Sequence, residues 1–211
     1  MIKKTIQGYM VKKRKNINSW EKLLEMWPKV IEDYSIAVPG DAAYFYTEQT
    51  SVGNLLAAAW MSGSVGVVEF QHKKGVKYRR KWSGRCDLYL ATSKDEFLVE
   101  AKHSVVSLNS SNQWSDVIDG VLDKALADAK NTSGTHGYIS IGVAFFCLTM
   151  PQSKQDDMED KINELVEYLQ KNHYDAVAWC FPKQNRDILF DDETMFYPGT
   201  FMIVKNWSAM E

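Results

Sequence analysis

The chain has 211 residues, 45% apolar and 12% aromatic, enough for one domain with a sizeable core, which excludes global disorder. Its formal net charge of −2 argues neither for nor against a nucleic-acid partner. The longest apolar run, residues 138–150, is too short to span a bilayer, and the basic N-terminus lacks the apolar stretch of a secretory signal, so a cytoplasmic protein with no membrane partner is expected.

In chain order, Ser19 can cap a helix whose apolar face is Trp20, Leu23, Leu24 and Trp27, until Pro28 kinks or restarts it. A loop with Pro39 and Gly40 follows. Residues 47–63 read as a second helix with Val52, Leu55, Leu56, Ala59 and Trp60 on one stripe and Gly63 as its stop. VGVVEFQ and VKYRRKWSG are β-rich runs around HKKG, a predicted hairpin. GRCDLYLA and FLVEAKHS, around a polar TSKDE turn, form another, and its first strand can continue the preceding one through Gly84. Gln113 to about Lys130 has helical spacing, and residues 138–150 are apolar throughout, as in a central strand covered on both faces. Residues 154–172 form an amphipathic helix with Met158, Ile162, Leu165, Val166 and Leu169 as its stripe. DAVAWCF is a buried strand, and the tail TFMIVKNW is expected to end in an edge strand. The pattern predicts a three-layer α/β/α architecture around a central mixed sheet. It is read as a single domain: an N-terminal basic and helical extension (1–40), a core (41–182) and a C-terminal extension (183–211).

Charge is unevenly spread. Residues 1–105 hold 17 Lys/Arg against 11 Asp/Glu, and residues 106–211 hold 8 against 16. Cations gather at Lys3, Lys4, Lys12, Lys13, Arg14 and Lys15, and at Lys73, Lys74, Lys77, Arg79, Arg80, Lys81 and Arg85. Such clusters can track a phosphate backbone, or can be a hairpin tip kept soluble by repulsion. Cys86, Cys147 and Cys180 sit in apolar runs without zinc or disulfide spacing, as buried reduced thiols do.

Three charges interrupt the second hairpin: Asp87, Glu100 and Lys102. A two-residue turn at Ser93-Lys94 sets Asp87 opposite Glu100, and a four-residue turn over 93–96 sets it opposite Lys102. Either register puts all three on one face, with facing Cβ atoms roughly 4.5–5.5 Å apart. Two carboxylates and an ammonium suit a hard divalent cation and a water nucleophile: oxygen ligands hold Mg²⁺ or Mn²⁺, and the ammonium can orient water or balance charge. Glu48 lies at the end of the buried stripe of its helix, where it can aim at the same ion or simply favour the helix dipole. A solvated cross-strand ion pair is the plainer alternative.

This combination of Asp87 and Glu100-Ala-Lys102 on a hairpin, between a helix with an acid and a following helix, resembles the PD-(D/E)XK nuclease superfamily over residues 47–150. Cys86 stands where the family name has proline. The resemblance implies a restriction-endonuclease-like α-β-β-β-α-β core and Mg²⁺- or Mn²⁺-dependent phosphodiester hydrolysis. It assigns Asp87, Glu100 and Lys102 as catalytic and Asp87, Glu100, Glu48 and the Ala101 carbonyl as metal ligands. Nucleic acid is the expected partner, DNA before RNA, with Lys73, Lys74, Lys77, Arg79, Arg80, Lys81, Arg85 and Gln113 as contacts. Dimerisation stays open. The competing expectation is an inactive nuclease-fold binding module. His72, His103, His136 and His173 are scattered, and His103 faces away from Lys102, as a structural histidine would.

Overall fold

Alternating apolar residues make strands, and apolar stripes at helical spacing make the helices that cover them. The computed structural model describes residues 4–12, 17–75, 81–132, 137–190 and 194–207. Lys3, Lys13, Arg14, Lys15, Lys77, Arg79, Arg80 and His136 lie outside these. In chain order come β1 (Ile6–Val11), α1 (Glu21–Ala37), α2 (Glu48–Met61), β2 (Val65–Lys74), β3 (Trp82–Ala91), β4 (Glu96–Ser107), α3 (Trp114–Thr132) and β5 (Ile139–Pro151). They are followed by α4 (Met158–Lys171), β6 (Ala176–Phe181), the two-residue strands β7 (Leu189–Phe190) and β8 (Met195–Phe196), and β9 (Thr200–Asn206). Among the described residues, the main sheet runs β1-β6-β9-β5-β4-β3-β2. β4 and β5 are parallel, and the other neighbours along this path are antiparallel.

The sheet is the middle of three layers. On one face Trp20, just ahead of α1, Leu24 and Trp27 of α1 and Val52 and Leu55 of α2 are buried against Leu88, Val99, Val143 and Phe145. On the other, α3 and α4 bury Ile118, Leu122, Ile162 and Leu165 against Ala144, Phe146, Trp179 and Phe201. β5 is buried from Ser140 to Met150, as a strand covered on both faces should be. The expected three-layer α/β/α arrangement with a mixed sheet is present. Among the described residues no helix is long and apolar enough to cross a membrane.

Several local expectations give way to packing. The tail does not form an edge: β9 lies between β5 and β6, antiparallel to both. Phe201 and Ile203 enter one core, and Met202 and Val204 the other. A strand apolar on both faces is covered only in the interior of a sheet. The N-terminal segment supplies an edge instead, with β1 antiparallel to β6. β1, α1 and β9 therefore take part in the sheet and its cover. α1 runs unbroken through Pro28, which is buried with Trp27 and Ile31; tertiary packing offsets the one lost helical hydrogen bond. Ser19 does not cap α1, and its hydroxyl donates to Asp95 at 2.9 Å. Trp60 is 58% exposed; burial on α2 falls on Ser51, Val52, Leu55, Ala58 and Ala59 instead. β2 continues through His72 and Lys73 to Lys74, into the stretch expected to be the turn.

α3 sits unusually close to the sheet over Gly142. A Cβ there would lie 3.1 Å from the Leu126 amide nitrogen and 3.2 Å from the Ala125 carbonyl carbon. Both are backbone atoms that cannot swing aside. Gly142→Ala is therefore expected to destabilise the fold by about 1–3 kcal/mol, the usual range for overpacking, in urea unfolding. An unchanged midpoint would contradict the close approach.

Candidate functional site

The β3–β4 turn is closed by Thr92, whose amide donates to the Asp95 carbonyl at 2.9 Å while its hydroxyl accepts from the Asp95 amide at 3.0 Å. The strands pair from Ala91↔Glu96 to Leu88↔Val99, the register of a two-residue turn, which continued by one residue would set Asp87 opposite Glu100. The regular pairing stops there. The Ala101 amide donates to Asp87 Oδ2 at 2.7 Å, so a carboxylate stands where a strand carbonyl would. The Cys86 thiol donates to the Val99 carbonyl at 3.1 Å. The sequence thus builds a defect in the ladder at Asp87.

Across β3, Glu69 lies level with Asp87, between the pairs Val68↔Leu88 and Phe70↔Cys86. Its φ is +52°, uncommon for a residue with a side chain and a recurrent feature of functional sites. Its carboxylate accepts from Arg85 Nε at 3.1 Å. Beyond it Phe70 stacks on Tyr89, centroids 5.1 Å apart, and His72 meets Tyr138 edge-on at 6.1 Å. Lys74, at the strand's end, reaches back to Glu100. Its stem crosses Gly84, where a Cβ would stand only 3.0 Å from Lys74 Cδ.

Glu100 is 2% exposed, and Lys74 Nζ lies 2.7 Å from its Oε1. Lys74 is the charge partner of this buried oxygen, and among the described residues no other donor reaches it. Burial, opposed by Lys74 and reinforced by Asp87, pushes the Glu100 carboxyl up to about 7. Asp87 is raised by burial against the pull of the Ala101 amide and of Lys102. Glu48 is also raised by burial, with Lys102 opposing and Asp87 adding to the rise. Thr47 caps α2 by accepting from the Thr50 amide at 3.2 Å and so leaves Glu48 in the first turn, where it accepts from the His103 amide. Burial disfavours the Lys102 ammonium, but its hydrogen bond to Asp128 and the fields of Glu48, Asp128 and Asp87 outweigh this and raise it. Its Nζ is 2.7 Å from Asp128 Oδ2 and donates to the Ala101 carbonyl at 2.9 Å.

Asp87, Glu100, Lys102 and Glu48 therefore stand in one electrostatic neighbourhood. Glu48, Glu69 and Asp87 line a cavity of about 400 Å³ with Val52, Leu56 and Val68. Among the described residues, no three His, Cys, Asp or Glu side chains are close enough as they stand to grip one ion. Lys73 and Arg85 border an open cleft of about 660 Å³ with Gln71 and Ser83, and Lys81 is exposed nearby. Lys74 is not a surface cation like these, because its charge is committed to Glu100. Gln113 does not line the site. It precedes α3 at the far end of β4, where the Trp114 indole donates to the Ser107 carbonyl at 2.9 Å. His103 is half-buried, its Nε2 3.3 Å from the Tyr44 carbonyl, in a structural setting.

Sequence reasoning missed Asp128, Glu69 and the role of Lys74. Asp128 has a readable signal: it adjoins the buried Ala125 and Ala129 of α3, at the margin of the apolar stripe. The doublet Val67-Val68 breaks alternation just before Glu69. Nothing local marks Lys74, whose partner lies on a strand two places away. Comparison with family models, with curated proteins and with solved structures finds no match.

Proposed function

We propose that the chain is a metal-dependent nuclease hydrolysing phosphodiester bonds, with DNA as the first candidate substrate and RNA the second. The observation that carries this is the convergence of Glu48, Asp87 and Glu100, all with carboxyls raised by burial, beside the charged Lys102. Such a group is short of positive charge, and an incoming cation relieves it. The element order α2-β2-β3-β4-α3-β5 supports the same reading.

The donor set fits a hard divalent ion: all are oxygens, and the buried Glu100 oxygen has only the Lys74 ammonium as its partner among the described residues. Asp87, Glu100, Glu48 and the Ala101 carbonyl would hold it. Bound there, Mg²⁺ or Mn²⁺ would polarise the scissile phosphate and lower the pKa of a water. Lys102 supplies a fixed positive charge that can orient that water or offset charge on the phosphate. Asp128 positions Lys102. The Asp87 carboxylate is held by the Ala101 amide, so it needs little rearrangement to act. Lys73, Lys81 and Arg85 offer the phosphate backbone contacts beside the site.

A second reading, a nucleic-acid- or protein-binding module on the same scaffold, is favoured by one observation: Glu100 and Lys102 are both already ion-paired within the chain. Incubating the purified chain with labelled single- and double-stranded DNA and RNA, with Mg²⁺, Mn²⁺ or a chelator, separates the two. Metal-dependent cleavage lost in Glu100→Gln and Lys102→Met supports the nuclease. Cleavage unaffected by both substitutions, or no cleavage with either metal, overturns it.

A further inference from the structure

We infer that Lys74 is the resident cation of the Glu100 carboxylate, and that a divalent ion engages Glu100 only as the Lys74 ammonium withdraws. The inference rests on the metal reading of the site and adds to it a residue that controls loading. Three features of the described structure carry it.

First, the pair is buried and close. Lys74 Nζ lies 2.7 Å from Glu100 Oε1, with the two side chains only 17% and 2% exposed. A buried carboxylate without a counter-charge is strongly unfavourable, so the ammonium fills the role that a metal would take. Second, among the described residues no donor besides this ammonium reaches Oε1. A single monovalent counter-ion leaves the carboxylate open to exchange for a cation of higher charge. Third, the bound pose of the lysine is conditional on its neighbours. Glu69, at φ +52°, stands midway along β2, ahead of the stretch that carries Lys74. Gly84 lies under the lysine stem, at a separation where a methyl group would sit 3.0–3.1 Å from Cδ and Cγ. The Glu100-bound pose of the stem therefore depends on the missing side chain at Gly84, and a larger residue there would push the lysine off the carboxylate.

The lysine and the ion then compete for one carboxylate. Apparent metal affinity is the intrinsic affinity reduced to the fraction of molecules in which Glu100 is released. Removing the competitor tightens metal binding, whereas a purely structural lysine would leave affinity unchanged or weaken it.

Titrating Mn²⁺ into the purified chain by calorimetry tests this. Lys74→Met is expected to bind Mn²⁺ about tenfold tighter or more than the original chain. Gly84→Val, which crowds the lysine stem in its Glu100-bound pose and keeps every charge, is expected to shift affinity in the same direction. Lys94→Met, an equal loss of charge at the exposed β3–β4 turn, is expected to leave it unchanged. In thermal unfolding, Mn²⁺ is expected to raise the melting temperature of Lys74→Met more than that of the original chain. Equal or weaker Mn²⁺ binding by both Lys74→Met and Gly84→Val overturns the inference and leaves the nuclease reading standing. No Mn²⁺ binding by any of the four proteins overturns the metal reading itself, and this inference with it.

Discussion

Replacing Asp87 by Asn is expected to reduce metal-dependent phosphodiester cleavage by about a thousandfold or more while leaving the fold intact. Asn is nearly isosteric, and its side-chain oxygen can still accept from the Ala101 amide, now 2.7 Å from Asp87 Oδ2. What disappears is the negative charge. A bound cation contributes several kcal/mol to a phosphoryl transition state, and each 1.36 kcal/mol is about tenfold in rate. The same substitution should not weaken the protein, because burial already disfavours the Asp87 charge. Single-turnover cleavage rates beside urea midpoints check both halves. A variant within about tenfold of the original rate, at equal metal and equal stability, would remove Asp87 from the reaction.

The second large effect concerns pH. Without added metal, the Glu100 carboxyl is expected to make the protein less stable as pH rises from about 4.5 to about 7. The ordinary value is 4.5 and burial lifts it to about 7, so in this window the folded chain binds more protons than the unfolded one. The full effect is on the order of 3 kcal/mol at neutral pH and above, and vanishes below the unfolded value. Asp87 and Glu48, also raised, act with the same sign. His72 and His103, lowered by burial, act oppositely below their ordinary value. Comparison with Glu100→Gln isolates the Glu100 share: urea midpoints of the variant at about pH 5.5 and pH 8 should fall less than those of the original chain. Parallel curves would show that Glu100 is not the group responsible.

The pairing of Glu100 with Lys74 bears on what a linear reading can find. The hairpin and the sharing of one face by Asp87, Glu100 and Lys102 followed from alternation alone, because side chains in a strand repeat every two residues, whereas the choice between the two-residue and four-residue turn came only with the strand pairing. Glu48 was reachable as an acid out of place on an apolar helix stripe. Lys74 was misread as one more surface cation in a basic run. In one dimension it is identical to Lys73, and only the distance to a carboxylate on β4 separates them.

The sequence by itself determined the layers: two periodicities, 3.6 and 2, specify which elements are covered and on how many faces, and these are local quantities. It also determined which residue types could meet a cation. Tertiary structure alone decided that β9 enters the middle of the sheet and that β1 forms an edge. It alone brought Asp128 to Lys102 and Lys74 to Glu100. These are pairings between segments far apart in the chain, and burial makes them obligatory: an apolar two-faced strand and a desolvated carboxylate must each find a partner, but neither carries a local signal of which one.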